Sequence, residues 1–187
     1  MLKFTELFSP DTIRHGMIVA SKKRLLETVA TIAAEKVAPA EQCLEVQQGC
    51  FDYLINREKL GNSCLGAGVA MPKARLPEDC QPVGVFIHLD APVDYESADK
   101  REVDLVFAIF IPEQMCVQFI PDLPEFGERM IDKAFTKQLR AAQSAEEIWQ
   151  IFEFFDQTAC AENEEEVSAQ DDSHIEQQIE QTDGANQ

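Results

Sequence analysis

Residues 57–75, REKLGNSCLGAGVAMPKAR, gather the groups that a phosphate-handling site needs. Arg57 carries a planar fork of donors that matches phosphate oxygens. Gly61, Gly66 and Gly68 accept positive φ and close backbone approach, which lets main-chain N–H groups ring an anion. Pro72 then sets Lys73 where a reactive side chain would stand. A lysine is a weak nucleophile there: with a pKa of about 10.4 it is protonated near neutrality and has no lone pair to offer. Strong burial lowers such a pKa by about 3–5 units. A site that receives a partner is open to water, however, and a neighbouring Glu58 favours the charged form. A plainer reading stands beside this one: glycines between a helix and a strand mark turns, and an arginine forms surface pairs.

The other candidates for chemistry are scattered. His88 lies inside a strand-like run between Ile87 and Leu89, which fits a histidine making a structural hydrogen bond. His15 precedes the first strong helix, with nothing in the sequence around it to orient an imidazole, and His174 lies in a polar tail. Cysteines 43, 50, 64, 80, 116 and 160 fall at irregular distances without a C-x-x-C, so free thiols are expected and no metal site. No cofactor is expected.

The elements that must position residues 57–75 are legible on either side. Ser21 is suited to cap a helix carrying Leu25, Leu26, Val29, Ile32 and Ala33 on one face, ended by Pro39. A second helix is expected from about Ala40 to Lys59, stopped by Gly61. Val83–Leu89 and Val103–Ile111 read as strands, and the apolar run from Leu105 to Ile111 as one buried on both faces. Pro121 and Pro124 mark a loop into a helix near Glu125 to Phe135. Ser144 and Glu147 read as a capping box ahead of Ile148, Ile151, Phe152 and Phe155. Helices before and after buried strands give an α/β domain over residues 1–158. Residues 159–187 hold too few apolar side chains to offset the entropy of ordering, and read as an acidic disordered tail.

Charge narrows the partners. The net charge is −18; residues 161–187 hold nine acids and no base, and residues 1–160 hold 25 acids against 16 bases, so each part contributes −9. A phosphate backbone or an anionic membrane surface would be repelled by both parts. The longest apolar run is too short to span a bilayer, and the N-terminal residues lack the apolar stretch of a signal peptide, so a cytoplasmic protein is expected.

Residues 57–74 also resemble the phosphorylation-site signature of the type-2 enzyme IIA domains of the bacterial phosphotransferase system, above all the nitrogen-related variety. That pattern runs Arg-Glu-x-x-Gly-(Ser/Thr)-Thr-Gly-Ile-Gly-x-Gly-Ile-Ala-(Ile/Leu)-Pro-His-(Gly/Ala). Ser21–Arg24, Val83–Phe86, Val103–Ala108 and Leu139–Ser144 match the same family, over about residues 1–157. The resemblance implies a mixed β-sheet flanked by helices on both faces. It also implies partners: a histidine phosphocarrier protein of the nitrogen branch, or a regulated target protein. The family's phosphoacceptor histidine falls on Lys73, and its supporting histidines fall on Phe119 and Pro121, neither of which has a side-chain donor. Cys64 stands where the family has glycine, adding a Cβ at a place where the backbone bends. Arg57, Ser63, Gly66 and Gly68 then read as a vestigial phosphate pocket. The resemblance therefore implies a regulatory binding protein fixed in an unphosphorylated-like state, with a working phosphocarrier as the alternative.

Overall fold

Val83–Val93 and Val103–Pro112, which we call β5 and β6, pair antiparallel as the middle of a six-stranded sheet. The sheet belongs to a computed structural model that describes residues 1–158. β1 (Ile13–Met17) runs parallel to β5 at one edge. On the other side of β6 lie β3 (Val69–Ala70) and β4 (Lys73–Leu76), both parallel to it and set end to end; β2 (Cys64–Gly66) pairs antiparallel with β3. The sheet is thus mixed, with order β1-β5-β6-β3-β2 and β4 continuing along β6.

Side chains alternate across β6 with the period of a strand. Val106, Ala108 and Phe110 face α2 (Lys22–Val37) and α3 (Cys43–Leu60); Leu105, Phe107 and Ile109 face the other layer. That second layer comprises α1 (Phe4–Leu7), α5 (Leu123–Met130), α6 (Lys133–Ala141) and α7 (145–158). Helices cover both faces, as expected, which is why Leu105 to Ile111 is apolar without interruption. The second layer is aromatic: Phe4 lies 4.7 Å from Phe126, 4.8 Å from Phe135 and 5.2 Å from Phe152, centroid to centroid. Full burial of each such ring contributes about 1.5–3 kcal/mol. Gly84 is required here, because a Cβ at that position would sit 2.6 Å from the Phe8 ring.

Local signals placed most helix ends. Ser21 accepts from the Arg24 amide at 3.3 Å and opens α2. α3 starts at Cys43 rather than Ala40, because Pro39 O takes the Gln42 amide in a turn first. The single helix expected near Glu125 to Phe135 is two: α5 ends at Met130, and the Asp132 carboxylate accepts from the Phe135 amide at 2.8 Å to start α6. Ser144 caps α7 at Glu147 N (3.2 Å), while the Glu147 carboxylate reaches back one residue further than expected, to Gln143 N at 2.7 Å. A short helix, α4 (Cys116–Phe119), follows β6.

One buried carboxylate ties the chain's start to its last described helix. Asp156 accepts from Phe4 N (2.9 Å), Thr5 N (2.8 Å) and Thr5 Oγ1 (2.9 Å), and pairs with Arg129 at 3.1 Å. Arg129 also lies 4.9 Å over the Phe4 ring. No helix among the described residues is long and apolar enough to cross a membrane. The tail expected over 159–187, with Cys160 and His174, lies outside the described residues.

Candidate functional site

The last turn of α3 sends two neighbouring side chains in different directions. Arg57 is exposed and donates through Nη1 to Gly61 O at 3.1 Å, satisfying a carbonyl at the helix end. Glu58 turns inward to the Lys22 ammonium, 2.9 Å away at the start of α2. The hydroxyls of Ser63 and Tyr95 also donate to Glu58, and the Ser63 amide reaches it at 3.4 Å. Burial, and then the Glu58 charge, push the Tyr95 phenol upward, so it stays a donor. Lys22 lies 4.4 Å over the Tyr95 ring, which adds a cation–π contact to the ion pair.

Lys73 owes its place to the break between β3 and β4. Pro72 has no N–H to give, but its carbonyl accepts from Ile109 N at 2.9 Å, and the Met71 amide reaches Ser63 O at 2.9 Å. Lys73 then opens β4 opposite Ile109. It lines a cavity of about 110 Å³ together with Arg57, Asn62, Ser63, Cys64 and Leu65. Burial, followed by the Arg57 charge, holds the Lys73 amine below the ordinary lysine value. The expectation that Glu58 would keep it charged is not met, since Glu58 is engaged by Lys22 instead. Among the described residues the Lys73 ammonium has no ion-pair or hydrogen-bond partner.

Of the four residues expected in a phosphate pocket, Arg57 and Ser63 line this cavity and Gly66 and Gly68 do not. Gly66, Ala67 and Gly68 take φ of 96°, 54° and 81° in succession, forming the turn from β2 to β3. That turn is fastened from outside: Ala67 N donates to Asp99 at 3.0 Å, and Ala67 O accepts from Arg140 at 2.7 Å. A Cβ at Gly68 would lie 2.8 Å from both Arg140 and Asp104. Cys64 keeps negative φ in β2 and its thiol donates to Val69 O at 3.3 Å, so its Cβ meets no positive-φ strain. Phe119 packs against the aromatic layer at the end of α4 and Pro121 is exposed in the turn after it; neither lines the cavity.

Asn62 went unnoticed in sequence. Its amide donates to Tyr95 O (2.7 Å) and Glu96 O (3.1 Å), while its carbonyl accepts from Cys64 N (2.8 Å), stapling the loop before the cavity. The available signal was an asparagine directly after Gly61, a turn-forming pair.

The histidines differ from expectation too. His15 is oriented, by Ala142 O at 2.9 Å and by stacking on His88 with centroids 4.9 Å apart. His88 stacks instead of bonding: its buried Nδ1 has no hydrogen-bond partner and lies 4.0 Å from Asp90. His88 pairs with Leu105, four residues along β6 from the partner of Lys73, a separation of about 13 Å. It does not reach the cavity as a relocated acceptor. Cys43, Cys50, Cys64, Cys80 and Cys116 are free thiols, as expected.

A cleft of about 690 Å³ lies beside the start of α2 and is lined by Lys22, Lys23, Glu58, Glu96 and Glu102 among others. Three of its charged groups already pair, Lys22 with Glu58 at 2.9 Å and with Glu96 at 3.5 Å. The smaller cavity is the better candidate because its two charged groups, Arg57 and Lys73, are of one sign and neither pairs with a carboxylate among the described residues.

Comparison with known proteins agrees with this architecture. Residues 6–154 match the family model of the phosphoenolpyruvate-dependent sugar phosphotransferase system, EIIA 2. The chain is 47% identical to the nitrogen regulatory protein homolog of Haemophilus influenzae over 159 residues, spanning 84% of this chain and 94% of that protein. It is 33% identical to the nitrogen regulatory protein of Escherichia coli over 151 residues, 80% and 89% of the two chains. The crystal structure of nitrogen regulatory protein IIA-Ntr from Neisseria meningitidis superimposes with a TM-score of 0.69 at 30% identity, covering 79% of this chain and 97% of that one. IIA mannitol from Escherichia coli shares the fold, with a TM-score of 0.59 at 18% identity. The chain therefore belongs to the type-2 enzyme IIA family of the phosphotransferase system, among the nitrogen regulatory proteins.

Proposed function

We propose that this nitrogen regulatory protein acts by binding other proteins in one fixed state, close to the unphosphorylated form of its relatives. This reading is supported by Lys73, the residue on which the resemblance places the family's phosphoacceptor histidine, which lines a cavity shared with Arg57. Phosphorylation works as a signal by turning a neutral site anionic. A lysine has the opposite sign and so cannot imitate the phosphorylated form; it suits a carboxylate on a partner. That partner is a histidine phosphocarrier protein of the nitrogen branch or a regulated target protein. Phe119 and Pro121 fit the same reading, since neither offers a side-chain donor to hold a phosphoryl group.

A second reading, a working phosphocarrier, draws support from one observation. The Lys73 amine is held below the ordinary lysine value, which leaves more of it with a lone pair. Incubation with phosphoenolpyruvate, enzyme I and the nitrogen-branch phosphocarrier, followed by intact mass, separates the two. The binding reading expects no change in mass, whereas a stoichiometric, acid-labile gain of one phosphoryl group establishes the carrier. The Lys73→His variant in the same assay reports whether the surrounding loop still supports transfer.

A further inference from the structure

The cavity beside Lys73 presents few free donors to an entering anion. The Ser63 hydroxyl and amide are taken by Glu58, and the Asn62 amide by the carbonyls of Tyr95 and Glu96. What remains is Arg57, engaged at Nη1 alone, and the unpartnered Lys73 ammonium. These two cations differ chemically. A guanidinium keeps its proton at any physiological pH, while an ammonium in a partly buried site beside another cation gives its proton up more readily. Arg57 is therefore a fixed anion anchor and Lys73 a latent amine nucleophile. A ligand that carries an electrophilic carbon next to a phosphate meets both at once.

We propose that Lys73 is a site of covalent acylation by acyl phosphates, the mixed anhydrides of phosphate with a short carboxylic acid. The phosphate sits on Arg57 and places the acyl carbon at Lys73 Nζ. The Nζ lone pair attacks that carbon, the N–C bond forms, and the C–O bond to phosphate breaks. Its electron pair leaves with the phosphate, which also takes the proton lost by the amine. The cavity, about 110 Å³, has roughly the volume of three or four waters at about 30 Å³ each. That suits phosphate with an acetyl-sized group and disfavours long chains. The amide product is neutral, so acylation removes one of the two like charges and leaves Arg57 as the cavity's lone cation.

Geometry distinguishes Lys73 from four other lysines. Lys22 and Lys36 are held by Glu58 and Asp11 at 2.9 and 2.7 Å, and Lys133 and Lys137 stand exposed on α6 with no anion anchor given to them. Partial burial of Lys73 adds to the effect by disfavouring its charged form.

The test treats the full chain with acetyl phosphate at mildly alkaline pH and follows each lysine by peptide mass. Lys73 is expected to acetylate on the order of tenfold faster than Lys133 or Lys137, through positioning. Inorganic phosphate should slow Lys73 alone. Arg57→Gln, a change at an exposed side chain, should bring Lys73 down to the surface rate. With p-nitrophenyl acetate, which lacks the phosphate, Arg57→Gln should slow Lys73 far less than it does with acetyl phosphate, because only the Arg57 charge and not its phosphate contact is then missing. Three results overturn the proposal: Lys73 reacting no faster than the exposed lysines, Arg57→Gln leaving its rate unchanged, or a phosphoryl rather than an acetyl mass appearing on it.

Discussion

Asp156 and Lys73 are both charged, both at least partly buried, and treated in opposite ways by the fold. Around Asp156, two backbone amides, a hydroxyl and the Arg129 guanidinium converge on one carboxylate. Around Lys73 the nearest influence is another cation, Arg57, and no acceptor closes on the ammonium among the described residues. A buried charge whose lone pairs are all used holds structure together; removing it strands its partners. A charge left without an acceptor lowers stability, and persists where a ligand or partner completes it. The contrast separates what builds this molecule from what it offers to others.

The largest effect should come from breaking the satisfied end. Asp156→Ala strands Phe4 N, Thr5 and Arg129 together, so we expect a loss of roughly 3–5 kcal/mol in urea unfolding. A loss below about 1 kcal/mol would mean that α1 frays without consequence and that the node is not structural.

A middle-sized effect sharpens the other end. Lys73→Met removes a cation that the fold holds below its ordinary pKa. The sign follows from linkage: the folded state resists the ammonium, so the penalty is full at neutral pH. It fades as pH rises through the folded value towards 10.5, where the unfolded chain also loses its proton. Lys73→Met should therefore raise stability at neutral pH and flatten that alkaline gain. Sulfate should raise the melting temperature of the original chain by about 2 °C or more. It should do little for Lys73→Met. Equal sulfate effects on both chains would remove the anion site from this cavity.

The smallest effect concerns His88, which resembles Lys73 in being held from protonation. Burial, then His15, disfavour its imidazolium; Arg140 adds to this, while Asp104 and Asp90 oppose it. Its folded pKa is below 6.5, so stability should fall as pH drops from about 6.5 through the folded value, where the unfolded chain binds the extra proton. His88→Gln should flatten this acid slope. An unchanged slope would assign it to carboxylates instead.

Short-range order was legible before any coordinates. Ser21 with its following leucines, the apolar runs of β5 and β6, and Ser144 ahead of α7 each declare an element through neighbours a few residues away. The break between α5 and α6 was hidden, because Asp132 caps a helix only if the chain turns there, and Ile131 does not announce a turn. For the cavity, the sequence supplied Arg57, Ser63 and Lys73, and also Gly66 and Gly68, which do not line it. Those glycines serve a turn fastened by Asp99 and Arg140, residues 31 or more positions away.

By itself the sequence determined the family, the layering of helices on a buried sheet, and the presence of a lysine after Met71-Pro72. These follow from periodicity, capping and a contiguous signature, all of which act within a few turns of chain. Which charges are paired was decided only in three dimensions. Glu58 goes to Lys22 rather than towards Lys73, Asp156 returns to Phe4 across 152 residues, and His15 stacks on His88. An ionic or stacking contact depends on distance in space, and the linear order of residues does not contain that distance until the sheet has closed.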